Sequence, residues 1–247
     1  MQGELNGAAR ALAGGGTVVA LTGAGISIDS GIPAFRGSQG LWDRYDPMDY
    51  ATIEAFTSHP EKVWPMLLEL EDLMAAARPN PAHSALAELE QMGRMHLVIT
   101  QNIDGLHQAA GSRRVVELHG SGRRMICLDC GQRYGKSIVS MGDMPPRCAC
   151  GGLIKPDVIF FGEALPQRAL LTAMEAAARC RVMLVVGTSA VVAPASSLPL
   201  VAKQNRATII EVNPEPTGLT EGVTDYFLQE GATQIMPRLV QALRSLP

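Results

Sequence analysis

Six short apolar runs recur along this chain, at 17–22, 96–100, 115–118, 158–160, 182–186 and 208–212. They are apolar without the in-out alternation of a half-exposed sheet, so as strands they must be covered on both faces. Helical patterns lie between them at 4–13, 60–77, 81–92, 165–180 and 232–245, with a break at Arg78-Pro79-Asn80-Pro81 and a Gly/Pro/Asp-rich loop over 30–50. Strands alternating with helices predict an α/β fold built on a parallel sheet. Five of the runs end in polar or glycine-rich groups: Gly23-Ala24-Gly25, Gln101-Asn102, His119-Gly120, Gly187-Thr188-Ser189 and Asn213-Pro214. In such folds ligands bind at the carboxyl ends of the strands, so these groups converge on one expected site.

Aromatic residues make up 4% of the chain against 47% hydrophobic overall, so the core must be built from Ala, Val, Leu, Ile and Met. The formal charge of -3 gives no basic excess for neutralising phosphates, and no direct nucleic-acid binding is expected. No apolar run is long enough to span a bilayer, and no secretion signal is read at the N-terminus; the expectation is a soluble, cytoplasmic monomer.

Cys127-x-x-Cys130 and Cys148-x-Cys150 form two short hooks, a spacing that reads as a metal site rather than as disulfides. Four thiolates suit one tetrahedral zinc ion in a closed, structural role. Cys180, in an Ala-rich stretch, reads as a buried core thiol. The glycine turn after the first strand has two readings, a phosphate cradle or a tight strand-to-loop turn. Its Gly-x-Gly-x-x-Gly pattern is incomplete, with Ile28 at the third glycine. Gln101, Asn102, Asp104 and His107 either cap a helix or face a ligand. His119 is either structural or a general base. His59, His83 and His96 read as structural or surface residues.

Taken together, these segments resemble the sirtuin family of NAD-dependent protein deacylases. The resemblance rests on Gly23-Ala24-Gly25-Ile26-Ser27, Ser30-Gly31-Ile32-Pro33-Ala34-Phe35-Arg36, Thr100-Gln101-Asn102-Ile103-Asp104-Gly105-Leu106-His107 and Glu117-Leu118-His119-Gly120. It continues through the four cysteines, residues 155–163, Gly187-Thr188-Ser189 and Val212-Asn213-Pro214-Glu215, in the family's order and over nearly the whole chain.

The resemblance implies a Rossmann-like NAD-binding domain over 1–35, 86–121 and 153–247. A small domain would be inserted in it: a helical part with a cofactor loop at 36–85 and a zinc-binding module at 122–152. It implies His119 and Asn102 as catalytic residues. NAD would be bound by Gly23, Ala24, Gly25, Ser27, Phe35, Arg36, Gln101, Asn102, Ile103, Asp104, Gly187, Thr188, Ser189, Asn213, Pro214, Glu215 and Ala232. Cys127, Cys130, Cys148 and Cys150 would hold the zinc. Val158, Phe160, Gly162 and Glu163, with Val191 and Val192, would form two edges between which an acyl-lysine peptide adds as a strand.

The implied products are nicotinamide, deacylated lysine and O-acyl-ADP-ribose. The chain departs from the family pattern at Ala34, where an aspartate is usual. Relatives that prefer succinyl or malonyl groups carry a tyrosine and an arginine on the helix near 60–72, and this chain has no arginine between Arg44 and Arg78. Neutral acyl groups are therefore expected. The rival readings are a protein ADP-ribosyltransferase using the same NAD site, an NAD-dependent dehydrogenase, and a zinc-ribbon module that binds nucleic acid.

Overall fold

The computed structural model of the protein describes residues 2–35, 40–135 and 144–246. Helix α1 (Gln2–Ala13) leads into β1 (Val18–Thr22). A long excursion then carries α2 (Pro47–Tyr50), α3 (Ile53–Ser58), α4 (Pro60–Ala76) and α5 (Pro81–Gln91). The chain returns through β2 (Leu97–Thr100), the single-turn α6 (Leu106–Ala109) and β3 (Val115–Glu117). Next come β4 (Gly120–Cys127), β5 (Arg133–Gly135) and β6 (Ile154–Val158). The remainder is α7 (Gln167–Arg179), β7 (Val182–Val186), α8 (Leu198–Gln204), β8 (Thr208–Val212), β9 (Tyr226–Leu228) and α9 (Ala232–Arg244).

Six strands form one parallel sheet in the order β3-β2-β1-β7-β8-β9. Alternate residues of each central strand enter opposite cores. Val18 and Ala20 of β1, with Val182, Leu184 and Val186 of β7, pack under α1, α5 and α9. Val19, Leu21, Met183 and Val185 face α7 and α8. Helices cover both faces, so the period-2 signal vanishes into continuous apolar runs. Helix α9 buries Ile235, Met236, Leu239, Val240 and Leu243, spaced to keep one stripe inward.

A smaller antiparallel sheet has the order β5-β4-β6. It shares a third core with α3 and α4, in which Phe56, Val63, Trp64 and Leu67 meet Met125, Ile154 and Phe160.

Two expectations change. The strand expected at 158–160 ends at Val158 as β6 and lies on the edge of the small sheet, not in the parallel one. Pro156 is tolerated because an edge strand need not donate from every residue. Residues beyond Val158 bond elsewhere: Ile159 N to His119 O at 2.9 Å, and Phe161 N to Ala51 O at 2.8 Å. The loop expected over 30–50 contains a turn of 3-10 helix at Leu41–Asp43 and the short α2, whose Asp46 accepts from Met48 N with Pro47 beginning the helix. These pieces, like α8 and β9, are too short to show a period. Among the described residues no helix is long and apolar enough to cross a membrane.

The strand order reverses at β1. β2 and β3 lie on one side of it, and β7, β8 and β9 on the other. A crevice opens at such a switch point beyond the carboxyl end of the strand, here at Thr22-Gly23.

Candidate active site

At the switch point three strand ends interlock. Thr22 is in register with Thr100 of β2 and Val186 of β7. Gly23 N donates to Val186 O at 3.2 Å, and Gly25 N to Gly187 O at 2.8 Å. A Cβ on Gly25 would lie 2.7 Å from Gly187 O, and one on Gly187 would lie 2.4 Å from Ile26 N. The two loops touch backbone to backbone, so the tight-turn reading of these glycines holds whatever ligand the turn faces. Gln101 Nε2 donates to Thr188 Oγ1 at 2.9 Å, which spans the end of β1 from the β2 loop to the β7 loop.

Asn102, nearly buried, donates from Nδ2 to Gly23 O and to Ser27 Oγ, both at 3.1 Å. Ser27 Oγ in turn donates to Asp104 Oδ2 at 2.8 Å. Asp104 Oδ1 accepts from Leu106 N at 2.9 Å. Asp104 thus meets the first amide of α6 from one residue before its N-cap, Gly105, while Asn102 is turned to the glycine turn. Hydroxyl, amide and carboxylate groups meet here beside a glycine turn, and this donor set fits the ribose and pyrophosphate of a dinucleotide. The carbonyl of Ile103 accepts from Gly122 N at 2.9 Å and ties the loop to β4.

His119 sits where the chain leaves the parallel sheet for the small one. Leu118 N still bonds Thr100 O at 2.9 Å, and Gly120 already pairs with Val158. Gly120 has φ +78, and a Cβ there would lie 2.1 Å from Asp157 O, so the hinge requires glycine. His119 Nδ1 lies 2.9 Å from Gln101 O. A carbonyl can only accept, so Nδ1 carries the proton and Nε2 keeps a free lone pair. Burial pushes the imidazole below its ordinary pKa, against the smaller opposing effect of the Gln101 carbonyl. The ring is therefore neutral at pH 7.

Two histidines support this cluster from behind. His83, fully buried, lies 3.5 Å from Ser27 Oγ through Nε2 and accepts from Asn80 N at 3.3 Å through Nδ1. His107, also fully buried, is 2.9 Å from Thr22 Oγ1, and Thr22 Oγ1 donates to Thr100 Oγ1 at 2.8 Å. The two rings meet edge to face at 5.0 Å. Burial lowers the pKa of His83 to about 4 and that of His107 to about 3. The sequence marked His83 only as structural or surface. Its signal was the Asn80-Pro81-x-His83 spacing, which forms a capping box at the start of α5.

The other expected residues are placed as follows. Phe35 packs on Trp42 with ring centroids 5.2 Å apart, and Trp42 on Phe161 at 6.5 Å; this aromatic bridge was not read from the sequence. Arg36 lies outside the described residues. Ala24 lies in the turn with Ser27, while Ser189 is exposed beyond Thr188. Asn213 begins the loop after β8 and donates from Nδ2 to Glu215 O at 3.1 Å; Pro214 and Glu215 are exposed. Ala232 opens α9 and shares a core with Ile26, and Thr233 Oγ1 bonds Asp29, which joins that helix to the segment after the glycine turn. Val191 is exposed and Val192 half-buried. Val158 and Phe160 bury their side chains, with Phe160 stacked on Phe56 at 5.5 Å, and so offer backbone rather than side chain to a partner. Gly162 has φ +88 in the turn that follows, and Glu163 points inward to Phe160 N at 2.7 Å.

The four cysteine sulfurs lie within 4.8 Å of one another, with Cys127–Cys150 and Cys130–Cys148 each at 3.6 Å. A zinc–thiolate tetrahedron with bonds of about 2.3 Å has sulfur–sulfur edges of about 3.8 Å. The sulfurs are therefore placed to hold one metal ion, and an all-thiolate set fits zinc. Backbone turns shape both hooks: Gly131 N bonds Cys127 O at 3.1 Å, and Gly151 N bonds Cys148 O at 2.8 Å. Asp129, inside the first hook, is not among the converging groups. Cys180 is buried in the core under α7, as expected.

Residues 23–194 match the model of the Sir2 family. Over 92% of its length the chain is 50% identical to the NAD-dependent protein deacylase 2 of Pyrobaculum aerophilum, and covers 90% of that protein. It superposes on a solved Sir2 homologue–NAD complex with a TM-score of 0.88 at 44% identity, covering 99% of this chain and 94% of that one. On a solved complex of Sir2 with a p53 peptide and NAD+ the TM-score is 0.84 at 38% identity, covering 93% and 95%.

Proposed function

This chain belongs to the Sir2 family and is an NAD-dependent protein deacylase; on that premise we propose that His119 is its catalytic base and that it acts on neutral acyl groups of lysine side chains. The observation that carries the first part is the hydrogen bond from His119 Nδ1 to Gln101 O, which leaves Nε2 unprotonated at the strand edge. Bound NAD supplies an electrophilic ribose carbon and a nicotinamide leaving group. His119 takes up a proton at Nε2 from a hydroxyl presented there, a task suited to a neutral imidazole. Asn102, held by Gly23 and Ser27, orients the bound ribose. Gly23, Ala24, Gly25, Ser27, Phe35 and Arg36 hold the nicotinamide-proximal half of the cofactor together with Gln101, Ile103 and Asp104. Gly187, Thr188, Ser189, Asn213, Pro214, Glu215 and Ala232 take the adenosine half. The edges at 158–163 and 191–192 take the peptide backbone, and water is excluded by the Phe35–Trp42–Phe161 aromatic bridge.

The cations near the helical segment support the acyl preference. Arg44 is engaged by both carboxylate oxygens of Glu69, which also accepts from Tyr45 Oη at 2.7 Å. Lys62 is paired with Asp49 at 2.7 Å, and Arg78 caps the end of α4 through the carbonyls of Ala75, Ala76 and Ala77. Met66 and Leu67 of α4 are buried. An acidic acyl group would find no unengaged guanidinium in residues 40–78 to bind it in bidentate fashion. A four-thiolate metal site in place of disulfides supports a reducing, cytoplasmic setting.

The test is mass spectrometry of acetyl-lysine and succinyl-lysine peptides with NAD. Acetyl loss with nicotinamide release, and much slower succinyl loss, is the expected result. Equal turnover of the two peptides would overturn the acyl preference. Nicotinamide release with ADP-ribose left on protein would move the assignment to ADP-ribosyl transfer.

A further inference from the structure

Lys155 is 2% exposed on β6, an unusual place for an ammonium group. Its Nζ lies 3.1 Å from Glu163 Oε2 and 2.5 Å from Val158 O, and 4.9 Å from the centroid of the Phe160 ring. The same Glu163 oxygen accepts from Phe160 N at 2.7 Å, and Glu163 N donates to Phe160 O at 3.1 Å. One carboxylate thus closes the 160–163 turn and ties it to the strand before it. Buried ion pairs give little net stability over an apolar pair of the same size, so stability alone is a poor reason for one here.

What the pair does hold is geometry. The segment it clamps is bonded at one end to the base's own residue, Ile159 N to His119 O at 2.9 Å. Near its other end, Phe161 bonds Ala51 O at 2.8 Å and Ile53 N at 3.0 Å. We infer that Lys155 and Glu163 are positioning residues that hold the 158–163 edge in register for the acyl-lysine peptide, with Glu163 acting through the turn rather than by touching the peptide. This rests on the proposed peptide edge and deepens it, because it turns a residue expected to bind substrate into one that shapes the binder.

The experiment compares Glu163→Ala, Glu163→Gln, Lys155→Met and the double variant Lys155→Met/Glu163→Gln with the wild-type protein. It reads KM for an acetyl-lysine peptide, KM for NAD, kcat and the thermal midpoint. Glu163→Gln keeps an acceptor for Phe160 N, and the double variant leaves no buried charge unpaired, so it guards against simple unfolding. Loss of one hydrogen bond to a charged group corresponds to about a tenfold change. Glu163→Ala and Lys155→Met should each raise the peptide KM by about that factor with NAD KM unchanged. Glu163→Gln should recover part of the loss, and the double variant should keep the peptide defect at a near-wild-type midpoint. A wild-type peptide KM in Lys155→Met alongside a defect in Glu163→Ala would mean that Glu163 touches the peptide directly, and would overturn the inference. So would a parallel rise in both KM values, or a double variant with normal kinetics. If the wild-type protein deacylates nothing, the proposed function fails instead; fluorescence anisotropy of the labelled peptide then reads the same four variants for the positioning role.

Discussion

Replacing Gly25 by alanine tests whether the glycine turn depends on the contact between two loops. The added Cβ would lie 2.7 Å from Gly187 O, 2.8 Å from Gly187 Cα and 3.0 Å from Gly187 C, all backbone atoms. Carbon contacts are comfortable at about 3.5–4.0 Å, so the loops must part by roughly 0.7–1 Å. No side chain can rotate away to absorb this. Overpacking of that kind costs about 1–3 kcal/mol. The bond from Gly25 N to Gly187 O would stretch, at a further cost of about 0.5–1.5 kcal/mol. A loss of about 2–4 kcal/mol is expected, or a fall of about 4–16 °C in the melting midpoint for a chain of this size. Because Asn102 hangs on Gly23 O, the same displacement should raise KM for NAD. Gly3→Ala is the control of opposite sign: nothing lies within 4 Å of its Cβ, and it sits in α1, so a gain of up to about 1 kcal/mol is expected. Calorimetry with NAD kinetics decides the matter. A Gly25→Ala protein that melts within about 2 °C of wild type with an unchanged KM for NAD would refute the interlock.

Four further outcomes are expected. His119→Ala should lower deacylation by about 10²–10⁴-fold while leaving NAD binding intact, as read by calorimetric titration. Because burial depresses the His119 pKa, Nε2 stays unprotonated below pH 6.5, and the acid limb of the wild-type kcat/KM profile should fall below that value; a limb above it would count against the assignment. His107 binds its proton at about 3 when folded and near 6.5 when unfolded, so the unfolded state holds more protons between those values and stability is lost as pH falls below about 6.5. Between pH 7 and pH 5 this costs about 2 kcal/mol, so urea unfolding of His107→Asn should show that much less acid sensitivity than wild type, and an equal slope would be the contrary result. Removing the zinc with a chelator should loosen the third core, where Cys127 and Cys148 pack with the buried Trp64; a red shift of tryptophan fluorescence at a lowered melting midpoint is expected, and an unchanged spectrum after complete metal removal would contradict this.

The parallel sheet was legible because its evidence is local. Val18 to Leu21 and Val182 to Val186 are apolar at every position, which only a strand covered on both faces can be, and each ends at a glycine. The thiol hooks and the polar strand ends were legible for the same reason, since residue type and close spacing carry the chemistry. Sequence resemblance named candidate roles for those residues, but not their partners. That the lone pair of His119 is on Nε2 follows from a carbonyl 18 residues earlier. That Gly25 must be glycine follows from Gly187, across the junction of β1 and β7. The strand at β6 was misread because Lys155, Pro156 and Asp157 look unlike a buried strand; its place at the edge of a second sheet, with the ammonium of Lys155 met by Glu163, makes that polarity tolerable. Periodicity and composition report how a segment meets water. Which segments face each other across a switch point, and which charge ends up beside which, is decided only when residues distant in the chain are brought together in the fold.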